Sequence, residues 1–367
     1  MLEVLAAGAR LEPDEVDLLA GAASAEALVR EAVLDELGRD APPCPHTFTV
    51  AVCTRDRADL LLPCLRSVEA SVDGSGLPRP DVLVVDNAPP DDKTRAAVAG
   101  RPGVRYAVEP RAGLDFARNL ALRTARGDVV AFLDDDVVVD PGWYAALSEV
   151  WAVHADAGGV TGQVLPFELE TPAQIAFEQY GGFRRPWTST RYTGPVLAGN
   201  PLYPYGAGMF GAGCNMSYRQ EVVTAMGGFD EALDTGRPLP GGGDLDMVSR
   251  VLRAGHPLVY SPACLVHHQH RRTDAELRRQ PYTWGTGHMA YVEKTWRADP
   301  ASRRLLVRLV AWQLRRLTRQ TAKSVLGRSR QPYALSLAEL RGSLVGLTGT
   351  YARSARRSRA VDAATRA

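Results

Sequence analysis

Val129-Val130-Ala131-Phe132-Leu133 is an unbroken apolar run that ends abruptly in Asp134-Asp135-Asp136. The run predicts a strand buried on both faces. Three carboxylates crowded at its end repel and raise one another's pKa unless a cation is present. Oxygen ligands of this kind favour a hard divalent ion, Mn²⁺ or Mg²⁺, of the sort shared with substrate phosphates. The alternative is a polar strand-to-loop turn with solvated aspartates.

The residues before the run repeat the theme. Phe48-Thr49-Val50-Ala51-Val52-Cys53 predicts a first strand, followed by the turn Thr54-Arg55-Asp56-Arg57 and a helix over about Leu60–Ser71. Asp81-Val82-Leu83-Val84-Val85 predicts a second strand ending in Asp86-Asn87, with a helix near Thr94–Ala99. Val104–Val108 predicts a third strand, and Leu114–Thr124 a helix. Apolar strands alternating with helices imply a parallel sheet covered on both faces. Ligands of such sheets sit beyond the carboxyl ends of the strands. Asp56, Asp86, Asn87 and Asp134–Asp136 all fall there, which points to a shared nucleotide site. No GxGxxG follows the first strand and no GxxxxGK[ST] occurs, so neither a Rossmann dinucleotide site nor a P-loop is expected.

The 367 residues, 45% hydrophobic with 34 Gly and 25 Pro, suffice for a large α/β domain with appendages. Five cysteines without CxxC spacing read as reduced thiols. No basic stretch leading into an apolar one opens the sequence, and no apolar run approaches the ~20 residues that span a bilayer. A cytoplasmic setting is therefore expected. The net charge of +1 hides an asymmetry: residues 301–367 hold fifteen Arg or Lys against two acids, whereas residues 1–40 hold ten acids and three bases. The expected divisions are a helical extension and Pro-rich linker at 1–45, the α/β domain at 46–290, and a basic helical region at 291–367. Within the last, helices are expected over Ser302–Leu326 and Ala334–Gly346. Its arginines, interleaved with Leu and Trp, suit a peripheral contact at the inner face of an anionic membrane, or docking on acidic residues 1–40. No nucleic-acid partner is expected.

Residues 160–245 are rich in glycine and aromatics and read as loops suited to a pocket for a ring or a sugar. Gly241-Gly242-Gly243-Asp244-Leu245-Asp246 then runs into helical spacing. Asp244 near a helix start is either an N-cap or, beside a metal–phosphate site, a general base. A final strand at Pro257–Tyr260 and an extended Cys264–Val266 lead into His267-His268-Gln269-His270-Arg271-Arg272, which holds three of the seven histidines. His268 reads either as a metal ligand, with Arg271 or Arg272 touching the diphosphate, or as part of a solvated turn.

Seven segments recur in a familiar order: Val52–Arg57, Val84–Asn87, Ala117-Arg118-Asn119, Leu133–Asp136, Gly211–Met216, Gly227-Gly228-Phe229-Asp230 and Gly243–Asp246. Together they resemble the family 2 glycosyltransferases over about Phe48–Arg272. The resemblance implies the GT-A fold, an α/β architecture with a Rossmann-like mixed sheet, here with helical N- and C-terminal extensions. It implies inverting transfer from a nucleoside-diphosphate sugar, a UDP-sugar favoured over dTDP- or GDP-sugars, to an acceptor nucleophile that the sequence does not name. Thr54, Arg55, Asp56, Asp86, Asn87, Arg118, Asp134 and Asp135 would hold the donor. Asp136 with His268 would ligate Mn²⁺ or Mg²⁺, Asp244 would be the base, and Asn215 and Asp246 would line the acceptor pocket. The family often has Glu before the base, where this sequence has Gly243; that leaves open whether Asp244 or Asp246 faces the acceptor. A nucleotidyltransferase of similar fold and an inactive sugar-nucleotide-binding protein are the alternatives. The lack of a Gly- and Arg-rich phosphate segment after the first strand weighs against the former.

Overall fold

The computed structural model describes residues 43–366 except 184, 195, 198, 199, 207, 237 and 330. The helix and acidic cluster expected in residues 1–40 lie outside them. Four parallel strands, β1 (Phe48–Thr54), β2 (Asp81–Asn87), β3 (Val104–Glu109) and β4 (Val129–Asp134), are joined by α1 (Ala58–Ser75), α2 (Lys93–Val98) and α3 (Leu114–Thr124). After β4 the chain turns through Asp135-Asp136 directly into β5 (Val137–Val139), then α4 (Trp143–Val153), β6 (Gly159–Pro166), α5 (Pro172–Tyr180) and β7 (Thr190–Tyr192). Next come β8 (Asn215–Arg219), α6 (Gln220–Ala225), α7 (Gly243–Arg253) and β9 (Leu258–His268).

All nine strands form one sheet in the order β3-β2-β1-β4-β8-β6-β9-β5, with β7 also on β9. The parallel sheet expected from the alternating pattern therefore stops at β4. There β8 inserts antiparallel to both β4 and β6, while β6 and β9 run parallel. Alternate residues of each strand enter two separate cores, as a period-2 backbone requires. Val50, Val52, Ala131 and Leu133 pack with Leu61, Leu65, Val68, Trp143 and Trp151 on the α1/α4 face. Ala51, Cys53, Val130 and Phe132 pack with Ala117, Leu122, Met247 and Val251 on the α3/α7 face.

The sequence reads β9 as two pieces because Pro262 has no N–H to give a ladder. The strand is continuous, and a register shift opposite Gly162/Gln163 absorbs the interruption. A Cβ at Gly162 would fall on the Cys264 carbonyl, so β6 needs glycine there.

Four helices complete the chain: α8 (Asp274–Ala298), α9 (Arg303–Val325), α10 (Tyr333–Gly346) and α11 (Thr350–Arg366). The unbroken α8 runs through residue 290, the expected domain boundary. Its Gly285 meets the backbone of α10, and Gly342 of α10 meets the Tyr282 carbonyl, so the two helices approach backbone to backbone. Met289, Tyr291, Val292, Leu306 and Leu309 form a further core that joins α8 and α9 to Tyr205. Among the described residues no helix is long and apolar enough to cross a membrane.

Candidate functional site

The carboxyl ends of β1, β2 and β4 lie side by side because the strands are paired in register, Cys53 opposite both Val85 and Asp134. This brings Thr54, Asp86 and the aspartate triplet to one rim. Thr54 Oγ1 donates to Asp135 Oδ2 at 2.7 Å, and Arg57 donates to Asp135 Oδ1 at 2.6 Å and to Asp136 Oδ2 at 2.8 Å. Asp135 thus ties β4 to the end of β1. Burial, with the charge of Asp136 adding to it, pushes the Asp134 carboxyl up to about 7. Burial also takes Asp135 up to about 6 against the pull of Arg57. For Asp136 burial is outweighed by its cationic neighbours, Arg57 among them, and its carboxyl stays below the ordinary value.

Asp136 has one oxygen to spare. Its Oδ1 is buried without a hydrogen-bond partner and lies 3.5 Å from His268 Nε2. The antiparallel pairing of β5 with β9, Val137 opposite His268, sets that distance. Burial holds His268 at about 4, so it is neutral at pH 7 and has a lone pair to offer a metal. No group of three or more His, Cys, Asp or Glu is arranged to hold a metal among the described residues. Asp136 and His268 make a two-donor seat, fitting a cation whose remaining ligands are water and substrate oxygens.

Tyr106 of β3 donates to Asp86 Oδ2 of β2 at 2.6 Å, and Asp86 Oδ1 is buried without a partner. Asn87, expected to face the nucleotide, is instead committed to the loop before α3: Nδ2 donates to the Arg111 carbonyl at 2.7 Å and Oδ1 accepts from Gly113 N–H at 2.9 Å. Arg55 and Asp56 are exposed, with Asp56 in the left-handed region at φ 53°.

A second cluster forms where α3 meets the start of α7. Arg118 donates to Asp115 Oδ1 at 3.0 Å and Asp234 Oδ2 at 3.4 Å, and its guanidinium also feels Asp134 and Asp244. Gly213 passes between Asp244 and Arg118: a Cβ there would stand 3.1 Å from Asp244 Oδ2 and 3.3 Å from an Arg118 nitrogen. The adjoining Cys214 lies within the fields of Asp134, Asp136 and Asp244, so the strand-end acids and the α7 acid converge on this loop.

Gly243 explains its own identity. A Cβ at 243 would fall on the carboxylates of Asp115 and Asp234, and its N–H donates to Asp234 Oδ2 at 2.8 Å. The acid expected at 243 is replaced in space by two others. Burial and their mutual repulsion raise Asp115 well above the ordinary range, and burial raises Asp234 as well.

Asp246 and Asn215, both expected in an acceptor pocket, are each tied to other parts of the chain. Asp246 is buried, accepts from Arg250 Nε at 2.8 Å and pairs with Lys294, because position 246 lies on the inward face of α7. Both Asn215 amide hydrogens go to the Gln163 and Cys264 carbonyls, at 3.0 and 2.7 Å, and Oδ1 accepts from Trp143 Nε1. It stitches β8 to β6 and β9.

The sequence reading omitted Arg57, Tyr106, Asp115 and Asp234 from the site. Arg57 stood inside a quoted motif, and Asp115 sits three residues before Arg118, the spacing of neighbours on a helix. Asp234, in an irregular loop, has no such signal.

Residues 49–225 match the family model Glycosyl transferase family 2. Over 247 residues the chain is 29% identical to the succinoglycan biosynthesis protein ExoM of Rhizobium meliloti (strain 1021), covering 65% of this chain and 73% of that protein. It is 29% identical over 155 residues to the pre-mycofactocin glycosyltransferase of Mycobacterium tuberculosis (strain ATCC 25618 / H37Rv), which spans 42% of this chain but 30% of that protein. Among solved structures, the mannosyltransferase PcManGT from Pyrobaculum calidifontis in complex with GDP-Man and Mn²⁺ superposes with a TM-score of 0.52 at 18% identity, covering 100% of this chain and 98% of that one. That last likeness is one of fold.

Proposed function

We propose, from the premise that this chain is a family 2 glycosyltransferase of the GT-A fold, that it moves a sugar from a nucleoside diphosphate to an acceptor nucleophile with inversion at the anomeric carbon. The observation that carries this reading is the convergence of two half-sites on the Gly213-Cys214 loop. One is the Asp136/His268 pair at the strand ends; the other is Asp244 at the start of α7. The donor lies on the first, with Asp86 Oδ1 an unfilled acceptor for its nucleobase and Asp134 a contact on its ribose or phosphate side.

Asp136 and His268 would hold Mn²⁺ or Mg²⁺, which when bound offsets the charge that grows on the leaving diphosphate. Arg271, 3.7 Å from Asp136 and more than a third exposed, is free to turn toward the same phosphates. Asp244 takes the proton of the acceptor as it attacks from the far face. Arg118, locked by Asp115 and Asp234, keeps a fixed positive charge between the halves. The exposed face of α9, with Arg304, Arg308, Arg315 and Arg319 beside Val307 and Trp312, supports a peripheral contact with an anionic surface at the inner face of the membrane.

A thermal-shift panel of UDP, GDP and dTDP and their sugars with Mn²⁺ and Mg²⁺ tests the donor half, followed by a product assay with the stabilising donor. Metal-dependent stabilisation and release of nucleoside diphosphate are expected. Pyrophosphate released from a nucleoside triphosphate would instead assign nucleotidyl transfer, and tight binding without turnover an inactive binding protein.

A further inference from the structure

The contacts at Asp136 continue away from the rim. His268 Nδ1 lies 3.0 Å from His270 Nδ1, and His270 Nε2 lies 2.9 Å from Glu178 Oε1 on α5. Both histidines are at most 5% exposed. Phe177 packs edge-on to His270 at 4.5 Å between ring centres, Phe183 to His268 at 5.1 Å, and Trp284 of α8 closes against both phenylalanines. The row Asp136–His268–His270–Glu178 is therefore walled by aromatic rings. Glu178 is itself well placed. The capping box of Thr171 and Gln174 fixes the start of α5, and Gly182, in the left-handed region at φ +52°, leaves the space its carboxylate fills.

Proton counting along the row has one outcome for neutral imidazoles. An ionised carboxylate only accepts, so the hydrogen between His270 and Glu178 belongs to Nε2. A neutral ring has one N–H, so His270 Nδ1 is an acceptor. The hydrogen between the rings then belongs to His268 Nδ1, and His268 Nε2 carries a lone pair. That lone pair and the partnerless Asp136 Oδ1 are two acceptors 3.5 Å apart, an arrangement that calls for a cation between them.

We propose that Glu178 and His270 are positioning residues that fix the Nδ1–H tautomer of His268, so that its Nε2 and Asp136 Oδ1 form the protein half of a divalent-cation seat. This rests on the metal reading above. Partners of this kind behind a ligating histidine typically affect metal affinity 10–100-fold.

The test uses the full chain stripped of metal and titrated with Mn²⁺ plus UDP, GDP or dTDP, free Mn²⁺ being followed by electron paramagnetic resonance. The histidine ¹⁵N shifts of the metal-free protein are recorded in parallel. Glu178→Leu should weaken Mn²⁺ uptake about 10–100-fold and move the His268 proton toward Nε2. Glu178→Gln, which keeps an acceptor oxygen, should bind within a few-fold of wild type. Should Glu178→Leu not fold, His270→Phe fills the same aromatic box without a nitrogen and should show the same loss. Wild-type affinity and an unchanged tautomer in these variants, alongside lost affinity in His268→Ala, would overturn the relay and leave the metal reading intact. No Mn²⁺ uptake by wild type with any of the three nucleotides would remove both.

Discussion

Asp244 and Asp246 stand two residues apart on the first turn of α7 and meet different surroundings. Asp244 is half-buried beside Gly213 and the Arg118 cluster, and its Oδ1 accepts only locally, from Leu245 N–H at 2.9 Å. Asp246 is enclosed by Arg250 and Lys294. Asp244→Asn should abolish sugar transfer while the donor-induced thermal shift persists; retained turnover would remove Asp244 as the base. Asp246→Ala takes a buried carboxylate from between Arg250 and Lys294, leaving Lys294 with Asp230 and Arg250 with the Met226 and Gly228 carbonyls; it should cost about 3 kcal/mol of stability, read as a lower midpoint in urea, with donor affinity unchanged. The sequence offered these two residues as candidates for the base. It did not separate them, because that depends on which face of α7 is inward, and the glycines before the helix hide its starting angle. The bonds that Asn87 and Asn215 make were not legible for a related reason: an amide at a strand end serves a ligand or a neighbouring loop equally well, and only the fold says which is near.

The elements were more legible than their joints. Periodicity and turn residues located β1 to β4, α3, and the helices α9 and α10 within a few residues, since each carries its own apolar pattern. The joints depend on distant partners. The antiparallel insertion of β8 and the continuity of β9 across Pro262 are settled by long-range pairing that no local stretch encodes. The α8/α10 contact is of this type. Gly285 and Gly342 look like helix-weakening residues, and Ala in place of Gly ordinarily gains up to ~1 kcal/mol in a helix interior. Here a Cβ at 342 would fall on the Tyr282 backbone, and overpacking of this kind costs about 1–3 kcal/mol. Gly342→Ala should therefore lower the melting temperature rather than raise it; a rise would show that the two helices are free to part.

At the scale of the molecule, the C-terminal helices belong to the enzyme body through α8, whose Trp284 closes the histidine box and whose Gly287 abuts Gly241 and Gly242 ahead of the α7 acid. The charge asymmetry along the sequence foretold a basic surface but not this attachment, since glycine contacts carry no charge or hydropathy signal. The full chain should float with anionic vesicles at low salt and stay behind with neutral ones. Trp312→Ala with Arg308 and Arg315 changed to Glu should abolish flotation without changing donor binding; no flotation of the wild type would remove the membrane role.

The space beside Gly243 also decides what else could stand there. The glutamate that the resemblance leads one to expect does not fit there, because Asp115 and Asp234 stand where its side chain would begin and Arg118 is built around them. Gly243→Glu would bring a third carboxylate into a pocket already crowded by two. A glutamate at 243 therefore needs both aspartates removed, and with them the two partners that hold Arg118.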